Sequence, residues 1–135
     1  MRDVEKMALS MPETSKELRD DDRPAYLVDR KPFCFHRTPR RDALDSATGD
    51  RLDDVVVFYV ADEEMKMMWL ADRPSVFFTT EHFNGYPAIL TRISSLAQID
   101  REELAEIVSD AWLARAPKKL AQRWLRELGL DVESE

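Results

Sequence analysis

The sequence predicts an α+β domain: one antiparallel sheet of about five strands packed against helices, in a single unit over residues 1–135. Three observations carry this. Two short β-prone runs, Pro24–Val28 and Pro32–His36, are joined by Asp29-Arg30-Lys31, the length and chemistry of a hairpin connection. Val55–Val60 is a continuous apolar run between polar segments, as a buried central strand requires. Leu104, Ile107, Val108, Ala111 and Trp112 then fall on one helical stripe, and a second helix follows directly rather than alternating with strands.

Taken in order, Val4, Met7, Ala8 and Met11 recur at helical spacing until Pro12 forbids continuation, which predicts a short amphipathic helix ending near Ser10. Ser15 to Arg23 is polar and predicts a loop, with Asp20-Asp21-Asp22 solvated. In the hairpin both prolines sit at strand starts, where a missing donor costs least. Alternation then places Phe33 and Phe35 on one face and Cys34 and His36 on the other. Thr38 to Asp54 has no periodicity, contains Pro39 and Gly49, and predicts an exposed loop.

Asp62 can cap a helix carrying Glu63 and Glu64 in its first turn, with Met65, Met68 and Trp69 as the buried stripe and Pro74 as its stop. Val76–Thr79 predicts a short strand, Asn84-Gly85 a turn, and Pro87–Ile93 the last strand, with Ile89, Thr91 and Ile93 on one face and Leu90 and Arg92 on the other. Asp100 with Glu103 makes a capping-box-like start for the striped helix, with Asp in place of the usual Ser or Thr. Pro117 starts the final helix, Leu120, Ala121, Trp124, Leu125 and Leu128 face inward, and Gly129 ends it.

Composition narrows the function. With 44% hydrophobic and 35% charged residues and 3 Gly, the chain is a compact domain rather than a disordered or fibrous one. A single cysteine, Cys34, allows no internal disulfide, so a reducing compartment is permitted. The first ten residues show no secretory pattern and no apolar run approaches ~20 residues. A cytoplasmic protein with no membrane role is the expectation. A net charge of −7 opposes broad attraction to nucleic acid, so binding of that kind needs a local basic face.

Several segments together resemble the MmcQ/YjbR family: Ala8-Leu9-Ser10-Met11-Pro12; Arg23-Pro24-Ala25-Tyr26 with Lys31-Pro32-Phe33; Gly85 to Ile93; and Asp110-Ala111-Trp112 with Ala116-Pro117-Lys118-Lys119-Leu120. The likeness runs from Val4 to Leu128. It implies a CyaY-like fold, related in shape to frataxin, and nucleic-acid binding as a candidate activity. It brings no catalytic residues with it. The chain departs from the family pattern at three places. Asp21-Asp22 replaces an aromatic-glycine pair, the central strand ends near Val60 without its usual lysine, and Tyr86 stands where tryptophan is common.

Two basic clusters are candidates for phosphate contacts: Arg37, Arg40 and Arg41 after the hairpin, and Lys119, Arg123 and Arg126 on the last helix. A solvated helix face is the simpler reading of the second set, because no interleaved aromatics accompany it. The first is balanced by Asp42, Asp45 and Asp50. Cys34 and His36, with His82 more distant, could offer metal ligands, but two ligands do not close a site and a small buried hydrophobe is the simpler reading of Cys34. Ser94, Ser95 and Ser109 lack a nucleophile's flanking glycines. Met67 points off the stripe of its helix and, if exposed, hints at a protein partner or homodimer.

The sequence therefore predicts a small non-enzymatic binding domain without cofactor that contacts nucleic acid through the six basic residues. Two alternatives stay open. One is a protein-interaction or small-ligand module with its cleft between the sheet and the 38–54 loop. The other is frataxin-like metal binding, for which the Asp20-Asp21-Asp22 run is the acidic feature.

Overall fold

The computed structural model describes residues 2–129; the first residue and the last six of the predicted domain lie outside the described residues. Six strands form one antiparallel sheet: β1 (Thr14–Leu18), β2 (Pro24–Val28), β3 (Lys31–His36), β4 (Val55–Tyr59), β5 (Phe77–Phe78) and β6 (Ala88–Arg92), in the order β1-β2-β3-β4-β6-β5. The helices are α1 (Arg2–Ser10), α2 (Glu63–Asp72), α3 (Arg101–Arg115) and α4 (Lys118–Glu127). Short 3-10 turns occupy Glu81–Phe83 and Ile93–Gln98.

β1 corrects the prediction of a loop over Ser15 to Arg23. It pairs with β2 along its whole length, Thr14 opposite Val28 and Leu18 opposite Pro24. Four of its five residues are exposed, so it lacks the apolar alternation by which a strand is recognised. What holds it is backbone pairing and α1: Glu5 accepts a hydrogen bond from Tyr26 Oη at 2.8 Å and forms an ion pair with Lys16 at 2.7 Å.

The hairpin turn is tighter than predicted, since β3 begins at Lys31 and only Asp29 and Arg30 lie between the strands. Both have positive φ, 51° and 65°, as the primed two-residue turns require. Within β3 the predicted alternation is also corrected. Tyr26 faces Cys34 while Leu27 faces Pro32, so Phe33 is the extra residue of a bulge. Phe33 and Cys34 therefore both pack into the helix-covered core, and Phe35 alone turns to the other face.

The sheet has a core on each face. Toward α1, α3 and α4, Val4, Tyr26, Phe33, Phe58, Ile89 and Trp112 are packed together. On the opposite face Val55, Val57, Ala88 and Leu90 are covered by Phe83 and by the loop after β3 through Leu52. A continuous apolar β4 is thus explained by burial on both sides. α3 forms as predicted: Asp100 accepts from the Glu103 amide at 2.8 Å, and all five stripe residues are buried. Trp112 adds a hydrogen bond from Nε1 to Pro12 O at 3.1 Å, tying α3 to the end of α1.

α2 is capped as predicted, Asp62 accepting from the Met65 amide at 2.9 Å. Its buried side differs: Met68 is exposed, and Lys66 is buried beside Trp69. The lysine reaches the turn before β6, where two carbonyls receive it, so position outweighs polarity. α4 starts after Pro117 and ends at Gly129, whose φ is +74°. Leu120 is buried, whereas Leu128 is exposed because the helix runs past the core before it ends.

Candidate nucleic-acid interface

The loop from Thr38 to Asp54 is folded on itself by hydrogen bonds. Leu44 bridges Arg51, Leu52 N donates to Ala43 O at 2.9 Å, and Asp45 N donates to Asp50 O at 2.7 Å. Between these legs Asp45 accepts from the amides of Ala47 and Thr48, which holds its carboxyl below the usual range, and Gly49 takes φ +78°.

Arg37 is a correction to the predicted phosphate set. It is 3% exposed, directs both guanidinium nitrogens onto the Asp42 carboxylate at 2.8 Å each, and lies 5.2 Å from the Phe83 ring centre. Those bonds hold Asp42 at about 2, down from 3.8. Arg37 therefore closes the loop's first turn and has no free edge for a ligand.

Closing that turn turns Arg40 and Arg41 outward. Together with Arg51, which the Leu44 bridge carries to the same place, and with Thr38, Asp42 and His82, they surround an open cavity of about 480 Å³. All three arginines are exposed, and none is within 4 Å of a carboxylate among the described residues. His82 is presented by a turn that Lys66 pins, its Nζ donating to Phe83 O at 2.8 Å and Tyr86 O at 2.9 Å. The acidic run lies beside this loop but is not simply solvated. Asp21 accepts from Thr38 Oγ1 at 2.7 Å and pairs with Arg23 at 3.0 Å, and the Thr38 bond, with Arg23 behind it, lowers its pKa.

The second cluster stands elsewhere. Lys119 and Arg123 border a cavity with Glu13 and Asp29, beside the β2–β3 turn, and Arg123 forms an exposed pair with Glu13 at 2.9 Å. Arg126 is exposed on the same helix. The six residues of β3 run between this end and the arginine loop, a separation of roughly 17 Å at the usual rise per strand residue. The six predicted residues thus do not form one surface.

The other candidates separate as well. Cys34 is fully buried, and burial pushes its thiol pKa up, so it serves as core. His36 Nε2 lies 3.0 Å from Arg23 Nη1 and 3.1 Å from Asp53 O. No group of three His, Cys, Asp or Glu side chains suited to a metal occurs among the described residues. Ser94 and Ser95 lie in the second 3-10 turn and Ser109 in α3, and no hydrogen bond joins them to a histidine among the described residues. Between the loop and β5 lies a further cavity of about 390 Å³, bordered by Leu44, Leu52, Phe77, Phe78, Thr80 and Arg92. Nor is any described helix long and apolar enough to cross a membrane.

Sequence reasoning missed Arg51, and it named His82 only as a distant metal-ligand candidate rather than as a neighbour of the arginines. Nothing in a single chain signals that residue 51 folds back beside 40 and 41, because an isolated bridge leaves no periodic trace.

No family model matches the chain. The uncharacterised protein Rv2570 of Mycobacterium tuberculosis strain H37Rv is 39% identical over 131 residues, covering 94% of this chain and 96% of that protein. The uncharacterised protein Mb2600 of Mycobacterium bovis matches to the same extent. Among solved structures, the Deinococcus radiodurans protein DR2400, a DUF419 domain, superposes with a TM-score of 0.60 at 16% identity, covering 98% of this chain and 91% of that one.

Proposed function

The chain belongs to the family of the uncharacterised mycobacterial proteins Rv2570 and Mb2600, and we propose that it is a small non-enzymatic domain of MmcQ/YjbR type that binds nucleic-acid phosphates at its arginine loop. The observation that carries this is the convergence of Arg40, Arg41 and Arg51 on one open cavity with no carboxylate partner among the described residues. Guanidinium groups held by folded backbone lose less entropy on meeting a phosphate than arginines on a floppy segment. The fold shared with a DUF419 domain and the sequence resemblance to MmcQ/YjbR proteins support the reading. Because the protein as a whole is acidic, attraction is confined to this patch, and the contact involves few phosphates.

Fluorescence anisotropy with labelled duplex and single-stranded DNA at two salt concentrations tests it. Three arginines at phosphates give a slope of log affinity against log salt of roughly −2 to −3. Charge reversal of Arg40, Arg41 and Arg51 abolishes binding, whereas reversal of Lys119 and Arg123 leaves it intact. Absence of binding at low salt, or binding that survives the loop reversal, sinks the proposal.

A second reading, a small-ligand module, is favoured by the 390 Å³ cavity between loop and β5, whose walls mix apolar and hydrogen-bonding groups. It keeps the cleft predicted between the sheet and the 38–54 loop, with the ligand rather than a strand of nucleic acid as occupant.

A further inference from the structure

A different cavity lies on the helix side of the sheet, between α2 and α3. It measures about 370 Å³ and is walled by Val60, Ala61, Met65, Trp69 and Leu113, with Asp110 as its charged group. We infer that this cleft binds a small organic ammonium ion, an apolar body bearing one positive charge.

The argument starts from Asp110. Its carboxylate is half-buried on α3 and makes no hydrogen bond or ion pair among the described residues. Burial raises its pKa, and the Glu106 carboxylate, one turn earlier and of the same sign, adds to the shift. The cation of α2 and the one that follows it are committed elsewhere, Lys66 to the carbonyls of Phe83 and Tyr86 and Arg73 to Glu103 at 2.8 Å. A carboxylate drawn partly out of water with no partner is an unfavourable arrangement that an incoming cation relieves.

The walls specify what kind of cation. Apart from Asp110 the lining is aliphatic, thioether or indole, so a strongly hydrated metal or inorganic ion finds no second ligand there. An apolar body instead releases water from Val60, Met65 and Leu113 as it enters. Trp69 contributes an indole at the same wall, the aromatic type that best attracts an ammonium, and Met65 is flexible enough to follow the ligand's shape. The volume suits a small molecule. The site lies on the opposite sheet face from the arginine loop, so its success or failure leaves the phosphate reading untouched.

Phenethylammonium and its neutral counterpart 2-phenylethanol test the inference by titration into isotope-labelled protein. The readout is the Trp69 indole N–H signal, with Trp112 and Trp124 as internal controls. Phenethylammonium is expected to shift Trp69 selectively, and 2-phenylethanol to bind at least about tenfold more weakly, a difference of ~1.4 kcal/mol. In Asp110→Asn the preference for the amine disappears; removing an unpaired, half-buried charge should leave the melting temperature unchanged or higher. Ala114→Phe, which fills the cavity from the α3 side, removes the shift without altering charge. Equal binding of amine and alcohol by the wild type, a shift confined to the other tryptophans, or undiminished amine preference in Asp110→Asn overturns it.

Discussion

Lys66→Met isolates the contribution of one buried cation. The lysine is 2% exposed and its ammonium serves Phe83 O and Tyr86 O at 2.8 and 2.9 Å. Hydrogen bonds to a charged group contribute about 1.5–3 kcal/mol each. The lower end applies here, because each carbonyl keeps a backbone donor after the substitution, Phe83 O from the Tyr86 amide and Tyr86 O from the Ala88 amide. Two such bonds give ~3 kcal/mol, and relief of the ammonium's desolvation offsets about a third, so a net loss of ~2 kcal/mol is expected. Methionine retains the stem's packing, which keeps the comparison clean. For a domain of this size the melting temperature should fall by roughly 6–10 °C. Urea denaturation gives the free energy, and hydrogen exchange at the Asn84 and Tyr86 amides shows whether the turn loosens before the whole domain does. A variant as stable as the wild type, with unchanged exchange in that turn, refutes the reasoning: the buried charge then costs as much as its bonds return.

Two further outcomes are expected. Asp42 has a folded pKa of about 2, below its ordinary 3.8, chiefly through Arg37. The pair's contribution is therefore full above about pH 5 and is lost as pH falls toward 2, and Asp42→Asn should flatten that limb of the urea midpoint against pH; an unchanged acid limb contradicts it. Trp112→Phe removes the indole bond to Pro12 O and part of a fully buried ring, a loss of about 2–3 kcal/mol by urea denaturation. A loss below about 1 kcal/mol would mean that the α1 junction closes around the smaller ring.

Where residues signal through local periodicity, the sequence was a good guide. The α3 stripe, the Asp62 and Asp100 caps and the buried β4 follow from spacing and from side chains that satisfy nearby amides. What it hid depends on pairing between distant segments. β1 is polar because it lies at an edge, and only its register with β2 identifies it as a strand. The bulge at Phe33 needs the partner strand to define it. Lys66 reads as an ordinary helix-surface lysine until the carbonyls some twenty residues on fold beneath it. Arg37 and Arg40 look alike in sequence, yet one is spent on Asp42 and the other is open, so the candidate site was legible as a composition and not as a geometry.

The two ends of the sheet bear on how this protein behaves at high concentration. An outermost strand invites another molecule's backbone to add on, the first step of ordered aggregation. Here one border is β1, short and polar, with Lys16 anchored to Glu5, and the other is β5, only two residues long. Neither offers a flat apolar template. Copies of this domain that meet in a crowded solution should therefore part rather than zip together, and any assembly it enters must be built through its loops and helices.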